Sequence, residues 1–310
     1  MFMLKIKKEQ VEKICKKLGS DLISYSFLAK GGQNINYLFE SSKGKFVLRI
    51  ENNKQFKNFR KEYLFLKSTN GLLGPKVYLF DSSKKIIPRD FFVEEFIEGE
   101  HPPKINNKFF VDIAKWYRKL HSIKTSKKPD CMIDNHYSLL HALKPYYGHY
   151  KDYKYALDKN LRQVLDGYFN RAQKLCEIND NLFSDRKHFS ILHRDPRKEN
   201  MFYSKGKIRF IDWEFVDYNL PEWEIANFFE NYKLKDYQKK LFLKAYNYPN
   251  TEIARKRLAM VALINYCGGA GYVVWCIGLA NKDPSKKKKL LKRLRKASPA
   301  FGRLFDAVDF

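Results

Sequence analysis

The sequence predicts an α+β chain of two lobes. A small lobe, residues 1–97, carries an antiparallel sheet, and a larger lobe, residues 98–310, is mainly helical. Three observations carry that class. Residues 22–97 hold short apolar, aromatic-rich runs separated by Gly-containing turns, which is strand-like. Beyond Pro102-Pro103 the apolar residues recur at helical spacing. One β-like island, residues 189–213, interrupts those helices.

Element by element, residues 5–19 read as a basic amphipathic helix with Ile6, Val11, Ile14 and Leu18 on one side. Strands follow at Tyr25-Ser26-Phe27-Leu28, Asn36-Tyr37-Leu38-Phe39-Glu40 and Lys45-Phe46-Val47-Leu48-Arg49-Ile50. Their turns are Gly31-Gly32 and Ser42-Lys43-Gly44. A helix is expected over about 55–69, through Phe56, Phe59, Tyr63 and Leu66. Gly74-Pro75 then breaks the chain before two more strands, near Val77-Tyr78-Leu79-Phe80 and over residues 91–97. Gly99 and Pro102-Pro103 end the sheet. Helices are expected at about 107–122, 137–147, 154–178, 222–232, 234–246 and 251–280.

Composition narrows the class of protein. A chain of 310 residues that is 44% hydrophobic buries a core without disulfides or metal. Its five cysteines are scattered and form no C-x-x-C, which argues against a disulfide framework or zinc ribbon and for a reducing compartment. No basic segment followed by a short apolar run stands at Met1, so a cytoplasmic protein is expected. The formal net charge of +26 raises the question of a nucleic-acid or membrane partner. No RNP, helix-turn-helix or zinc-finger pattern accompanies it, so no specific nucleic-acid partner is expected. Residues 258–281 carry no charge and are long enough to be a transmembrane candidate. Asn265 and four glycines within them favour buried helices lining a pocket, so no stable membrane span is expected.

The island carries the chemistry. It reads His193-Arg194-Asp195-Pro196-Arg197-Lys198-Glu199-Asn200, and after a Lys205-Gly206 turn an apolar strand closes on Asp212. H-R-D-x-x-x-x-N followed by such an Asp is the spacing of a phosphoryl-transfer loop. That reaction needs a carboxylate to orient and deprotonate an attacking hydroxyl, here Asp195. It also needs oxygen ligands for Mg²⁺, here Asn200 and Asp212. In the small lobe, Arg49 ends an apolar strand where a phosphate-contacting cation belongs, and Glu62 on the next helix can hold it. Gly31, Gly32 and Asn34 form a turn whose amides can approach phosphates, though Gly-Gly is also a plain hairpin turn. Glu95, Phe96 and Ile97 belong to the hinge expected to meet the adenine.

These motifs resemble the aminoglycoside phosphotransferase and choline kinase superfamily over about residues 22–280. They include Gly-Gly-x-x-Asn, Val47-Leu48-Arg49, Gly74-Pro75, Glu95-Phe96-Ile97-Glu98-Gly99, Leu120-His121 and Ile211-Asp212-Trp213-Glu214. Tyr218-Asn219 and Ile225-Ala226-Asn227-Phe228-Phe229-Glu230 bring the resemblance nearest to choline and ethanolamine kinases. The resemblance implies a bilobal protein-kinase-like fold, ATP and Mg²⁺ as cofactors, and a small hydroxylated acceptor, choline or ethanolamine. Glu230, Tyr272 and Trp275 would hold the cationic head by charge and ring face. An aminoglycoside, thiamine or a sugar is the alternative acceptor; a non-catalytic basic nucleic-acid-binding protein or a membrane-anchored one are the other readings. The sequence departs from the family pattern at Gln33, Arg194, Pro196 and Glu224.

Overall fold

The computed structural model describes residues 5–31, 34–52, 58–102, 104–123, 138–183, 186–204, 207–280 and 283–297. Gly32, Gln33, Phe56, Pro103, Cys131 and the Lys205-Gly206 turn lie outside them. The chain divides into two compact units. The first comprises Met1–Trp116, Lys124–Ile133 and His193–Asp217; the second comprises Tyr117–Ile123, Asp134–Leu192 and Tyr218–Phe310.

In the first unit, α1 (Lys8–Lys17) precedes β1 (Leu22–Lys30), β2 (Asn34–Ser41) and β3 (Gly44–Glu51). Then come α2 (Asn58–Thr69), β4 (Val77–Asp81) and β5 (Phe91–Glu95). The strands pair antiparallel in the order β1-β2-β3-β5-β4. The central β3 is covered on both faces, so Phe46, Val47, Leu48, Arg49 and Ile50 are all buried. Phe46, Leu48 and Ile50 join the core with Val11, Ile14 and Cys15 of α1. Alternation sends Val47 and Arg49 to the opposite face. There Arg49 opposes Phe92 and Val47 opposes Glu94 on β5, while Phe59 of α2 packs 4.8 Å from Phe92. One arginine is thus set under the helix that carries Glu62.

The same unit holds the hairpin of β7 (Met201–Ser204) and β8 (Lys207–Phe210), in which Met201 opposes Phe210. A 3-10 turn, Trp213–Phe215, follows β8. Its Trp213 packs 4.8 Å from Phe65 of α2. Gly74 lies so close that a Cβ there would stand 2.6 Å from Trp213 Nε1 and 3.1 Å from the Phe210 carbonyl. The Gly74-Pro75 signal is therefore also a packing requirement of the β8 end.

The second unit is helical. It contains the end of α3 (Asn107–His121), then α4 (Leu139–Tyr153), α5 (Lys159–Asn179), α6 (Glu222–Asn231), α7 (Asp236–Tyr246), α8 (Glu252–Leu279) and α9 (Pro284–Ala297). The short strands β6 (Ser190–Leu192) and β9 (Asp217–Asn219) pair beside them. Side-chain caps start several helices: Ser138 on His141, Asp158 on Leu161 and Thr251 on Ala254. The uncharged run forms one continuous helix, α8, rather than a pair. It is long and apolar enough to cross a membrane, but Leu263, Ile264, Cys267, Val274 and Ile277 are wholly buried in the unit's own core. Its glycines do not break it. A Cβ at Gly268 would stand 3.0 Å from the Tyr146 ring, and at Gly271 and Gly278 it would collide with Tyr146 and Tyr153. The glycines let α4 lie against α8. Leu290, Leu291 and Leu294 turn α9 inward and leave its lysines outward, with Arg295 tied to Asp158 at 2.8 Å. Cys15 in the first unit and Cys176 and Cys267 in the second are buried free thiols.

Candidate active site

The loop that begins at His193 is braced through the imidazole. His193, fully buried, accepts the Asp195 N–H at Nδ1 (3.2 Å) and donates from Nε2 to the Ile211 carbonyl (2.9 Å). The Ile211 N–H donates in turn to the Asn200 carbonyl at 2.9 Å, so Asn200 and Asp212 sit on hydrogen-bonded neighbours. Arg194 (φ 72°) and Asp212 (φ 64°) are held left-handed, a conformation non-glycine residues adopt when surroundings enforce it. Asn200 Nδ2 donates to Asp195 Oδ2 at 2.9 Å, which leaves Oδ1 as the amide's acceptor. Arg197 grips Asp195 as well, with Nε 2.9 Å from each carboxylate oxygen and Nη2 2.5 Å from Oδ2.

Arg49 is the centre of a second cluster. Its Nη2 lies 3.0 Å from Glu62 Oε2 and 3.0 Å from Asp212 Oδ1, and its Nη1 lies 3.6 Å from Glu94 Oε1. Glu62 is fully buried, so this is no surface pair, and its other oxygen accepts the Trp213 N–H at 2.8 Å. Glu62 thereby ties the arginine to the backbone beside Asp212. Burial alone would lower the Arg49 guanidinium, but Glu62, Glu94 and Asp212 outweigh it and hold it up. Desolvation raises the Glu62 carboxyl despite Arg49. It pushes Glu94 up to about 7, again against the pull of Arg49, and Glu94 Oε2 has no partner among the described residues. Glu214 is pushed up to about 7 by desolvation and then by Asp212. This acid-rich cluster is short of positive charge. The Asp212 carboxylate, a quarter exposed, and Asn200 Oδ1 are hard oxygen donors of the kind Mg²⁺ takes, which fits a divalent cation.

Glu95 spends its side chain on Arg209, with contacts of 2.7 and 2.8 Å, and Arg209 also donates to the Gly74 carbonyl at 2.7 Å. The Glu95 and Phe96 N–H groups serve the sheet, donating to Lys76 (2.8 Å) and Lys45 (3.3 Å). Ile97 is buried and makes no backbone hydrogen bond among the described residues. Gly31 donates to the Asn34 carbonyl at 2.9 Å, and Asn34 is buried at the start of β2; Gly32 lies outside the described residues. The sequence reading missed the contacts of Glu94 and Arg197. Strand register signals the first, because Glu94 opposes Val47 on the face of Arg49. A basic residue two positions after Asp195 signals the second.

In the second unit, Glu230 near the end of α6 is exposed, and its carboxylate has no ion pair or hydrogen bond among the described residues. Desolvation by the surrounding protein still pushes it up to about 7. Its charge is felt by the Cys267 thiol of α8, which burial has already raised. Tyr272 and Trp275 come together, with ring centroids 5.5 Å apart, and Trp275 lies 5.5 Å from His149 of α4. Tyr272 is five residues beyond Cys267 and thus about 140° around α8 from it. No ring contact or hydrogen bond among the described residues joins Glu230 to either aromatic. Glu224, fully buried, bonds His121 at 2.8 Å, and His121 bonds the Tyr246 hydroxyl at 2.9 Å.

The sequence profile of the phosphotransferase enzyme family matches residues 24–255, a span that includes Arg49, Glu62, the Asp195 loop and Asp212. The chain belongs to this family. Among relatives, it is similar to a LicA homolog protein from Mycoplasma capricolum. The two are 26% identical over 223 residues, 71% of this chain and 78% of that one. A probable ethanolamine kinase B from Dictyostelium discoideum is 29% identical over 106 residues, 33% of this chain and 22% of that one. Among the solved structures that share the fold are two choline kinases. The choline kinase LicA of Streptococcus pneumoniae has a TM-score of 0.62 at 19% identity, covering 94% of this chain and 99% of that one. A choline kinase of Cryptosporidium parvum has a TM-score of 0.68 at 16% identity, covering 98% and 99%. The phosphotransferase-family chain thus has the expected kinase-like α+β fold.

Proposed function

We propose that this phosphotransferase moves the γ-phosphoryl group of ATP to the hydroxyl of an amino alcohol, choline or ethanolamine, in the cytoplasm. The observation that carries the reading is the pairing of Asp195 with Asn200 beside an Asp212 held by the buried Arg49–Glu62 pair. Asp195 orients the acceptor hydroxyl and takes its proton. Asn200 and Asp212 are the residues that would hold Mg²⁺, which when bound neutralises phosphate oxygens. Arg49 contacts the nucleotide phosphates, and Glu62 keeps it in place. Gly31, Gly32 and Asn34 serve the nucleotide phosphates, and Glu95, Phe96 and Ile97 serve the adenine, with the backbone of Ile97, unbonded among the described residues, as its polar contact. Residues 1–97 supply the nucleotide side, and residues 98–310 supply catalysis and the acceptor. Glu230 draws the cationic head, and the rings of Tyr272 and Trp275 give it apolar faces. The choline and ethanolamine kinases among the similar proteins favour this acceptor over an aminoglycoside, thiamine or a sugar.

The test is ADP release from Mg·ATP across choline, ethanolamine, thiamine, aminoglycosides and sugars, with Asp195→Ala as control. Turnover with choline or ethanolamine that the variant loses is the expected result. Turnover only with another acceptor overturns the roles of Glu230, Tyr272 and Trp275. Absence of nucleotide binding, with salt-sensitive binding to oligonucleotides instead, overturns the kinase reading.

A further inference from the structure

Asp195 must receive a hydroxyl, yet an arginine already spans both of its oxygens. Arg197 Nε reaches both at 2.9 Å, Arg197 Nη2 adds a contact to Oδ2, and Asn200 Nδ2 donates to Oδ2 at 2.9 Å. Three of these contacts fall on Oδ2 and one on Oδ1, so the side of the carboxylate that Arg197 spans is closed to an incoming hydroxyl while the arginine stays. Asn200 is buried and fixed at its backbone by Ile211. Arg197 is the group able to leave. Its side chain is 55% exposed, against 12% for Asp195, and among the described residues it has no hydrogen-bond or ion-pair partner other than Asp195. Its charge also interacts with that of Asp212, the carboxylate assigned above to the metal.

We propose that Arg197 caps Asp195 in the resting enzyme and turns onto the oxygens of the transferring phosphoryl group when the acceptor hydroxyl takes its place. This rests on the phosphotransfer reading above. The guanidinium fork that spans two carboxylate oxygens also matches two phosphoryl oxygens. During the step, the acceptor oxygen forms its bond to the γ-phosphorus. The bond from that phosphorus to the β–γ bridging oxygen breaks, leaving its electron pair on ADP. The hydroxyl proton passes to Asp195. Arg197 neither gains nor loses a proton; it offsets negative charge on the group in flight.

The experiment compares wild type, Arg197→Ala and Arg197→Lys in kcat, acceptor KM, binding of Mg·ADP, and binding of Mg·ADP with aluminium fluoride as the phosphoryl mimic. Arg197→Ala is expected to lower kcat by about 10²-fold, the scale of losing one preorganised donor to developing charge. Acceptor KM falls, because nothing then competes with the hydroxyl for Asp195, and Mg·ADP affinity stays near wild type, while the added affinity for the fluoride complex is lost. Guanidinium ion in the assay restores part of kcat to Arg197→Ala, and Arg197→Lys, with charge but no fork, falls between. A kcat within about twofold of wild type overturns the proposal, as does a loss that appears equally in Mg·ADP affinity and thermal stability. A chain that turns over no tested acceptor, but holds the fluoride complex through Arg197, overturns the choline assignment and keeps this one. A wild-type chain that binds no Mg·ADP overturns both.

Discussion

Arg49 stands between Glu62, Glu94 and Asp212 with one positive charge among three carboxylates. Its removal leaves acids behind in a dry site. Arg49→Met is expected to lose about 3–5 kcal/mol in urea unfolding, the scale of orphaning a buried charge, together with nucleotide binding. A midpoint unchanged from wild type would show that the cluster is relaxed by other means. Glu230 gives a prediction of opposite character, because no described residue pairs it. Its carboxyl sits at about 7, neutral below and ionised above. If Glu230 holds the cationic head as proposed, only its ionised form draws the cation, so the KM for choline should fall about tenfold from pH 6 to pH 8, and Glu230→Gln should flatten that dependence. At this scale the sequence was legible where spacing encodes chemistry, as in the run from His193 to Asn200 and on to Asp212. The grip of Arg197 on Asp195 had only a weak signal, a basic residue two positions on, because that spacing alone does not say which way the side chain turns. Glu94 was hidden differently: its neighbour Glu95 looks alike in sequence, but alternation buries one on Arg49 and gives the other to Arg209.

Helices and strands were expected close to where they stand, because apolar periodicity reports the buried face of each. The glycines of α8 were the exception. They read as weak points of a helix, whereas Gly268, Gly271 and Gly278 are the places where α4 approaches. Sequence periodicity describes one element and carries no information about how near its neighbour comes. The difference can be measured within a single helix. Gly269→Ala meets nothing within 4 Å and should stabilise by about 0.5–1 kcal/mol through helix propensity. Gly271→Ala meets the Tyr146 backbone and should destabilise by about 1–3 kcal/mol. Equal effects of the two in thermal unfolding would remove the close-approach explanation.

For the molecule as a whole, Glu94, Glu214 and Glu230 all sit at about 7, raised from the ordinary 4.5 first by desolvation. Between pH 4.5 and 7 the folded chain therefore holds more protons than the unfolded one. Stability is predicted to fall as pH rises through that window. Asp81 acts in the other direction only below it, since hydrogen bonds from Lys17 and Ser83 lower it to about 2. A melting temperature that rises from pH 5 to pH 7.5 would contradict the assignment. The net charge of +26 was plain from composition, but which lysines face outward was not. On α9 it took the inward leucines to decide it. The association of residues 193–217 with the sheet-bearing unit was equally invisible, since sequence order places that segment among helices. The buried thiols have a practical consequence. Cys15 belongs to one unit and Cys176 and Cys267 to the other, so a thiol-alkylating reagent followed by peptide mass mapping would time the breathing of each body separately. The chain carries its own pair of clocks, with no label to be engineered.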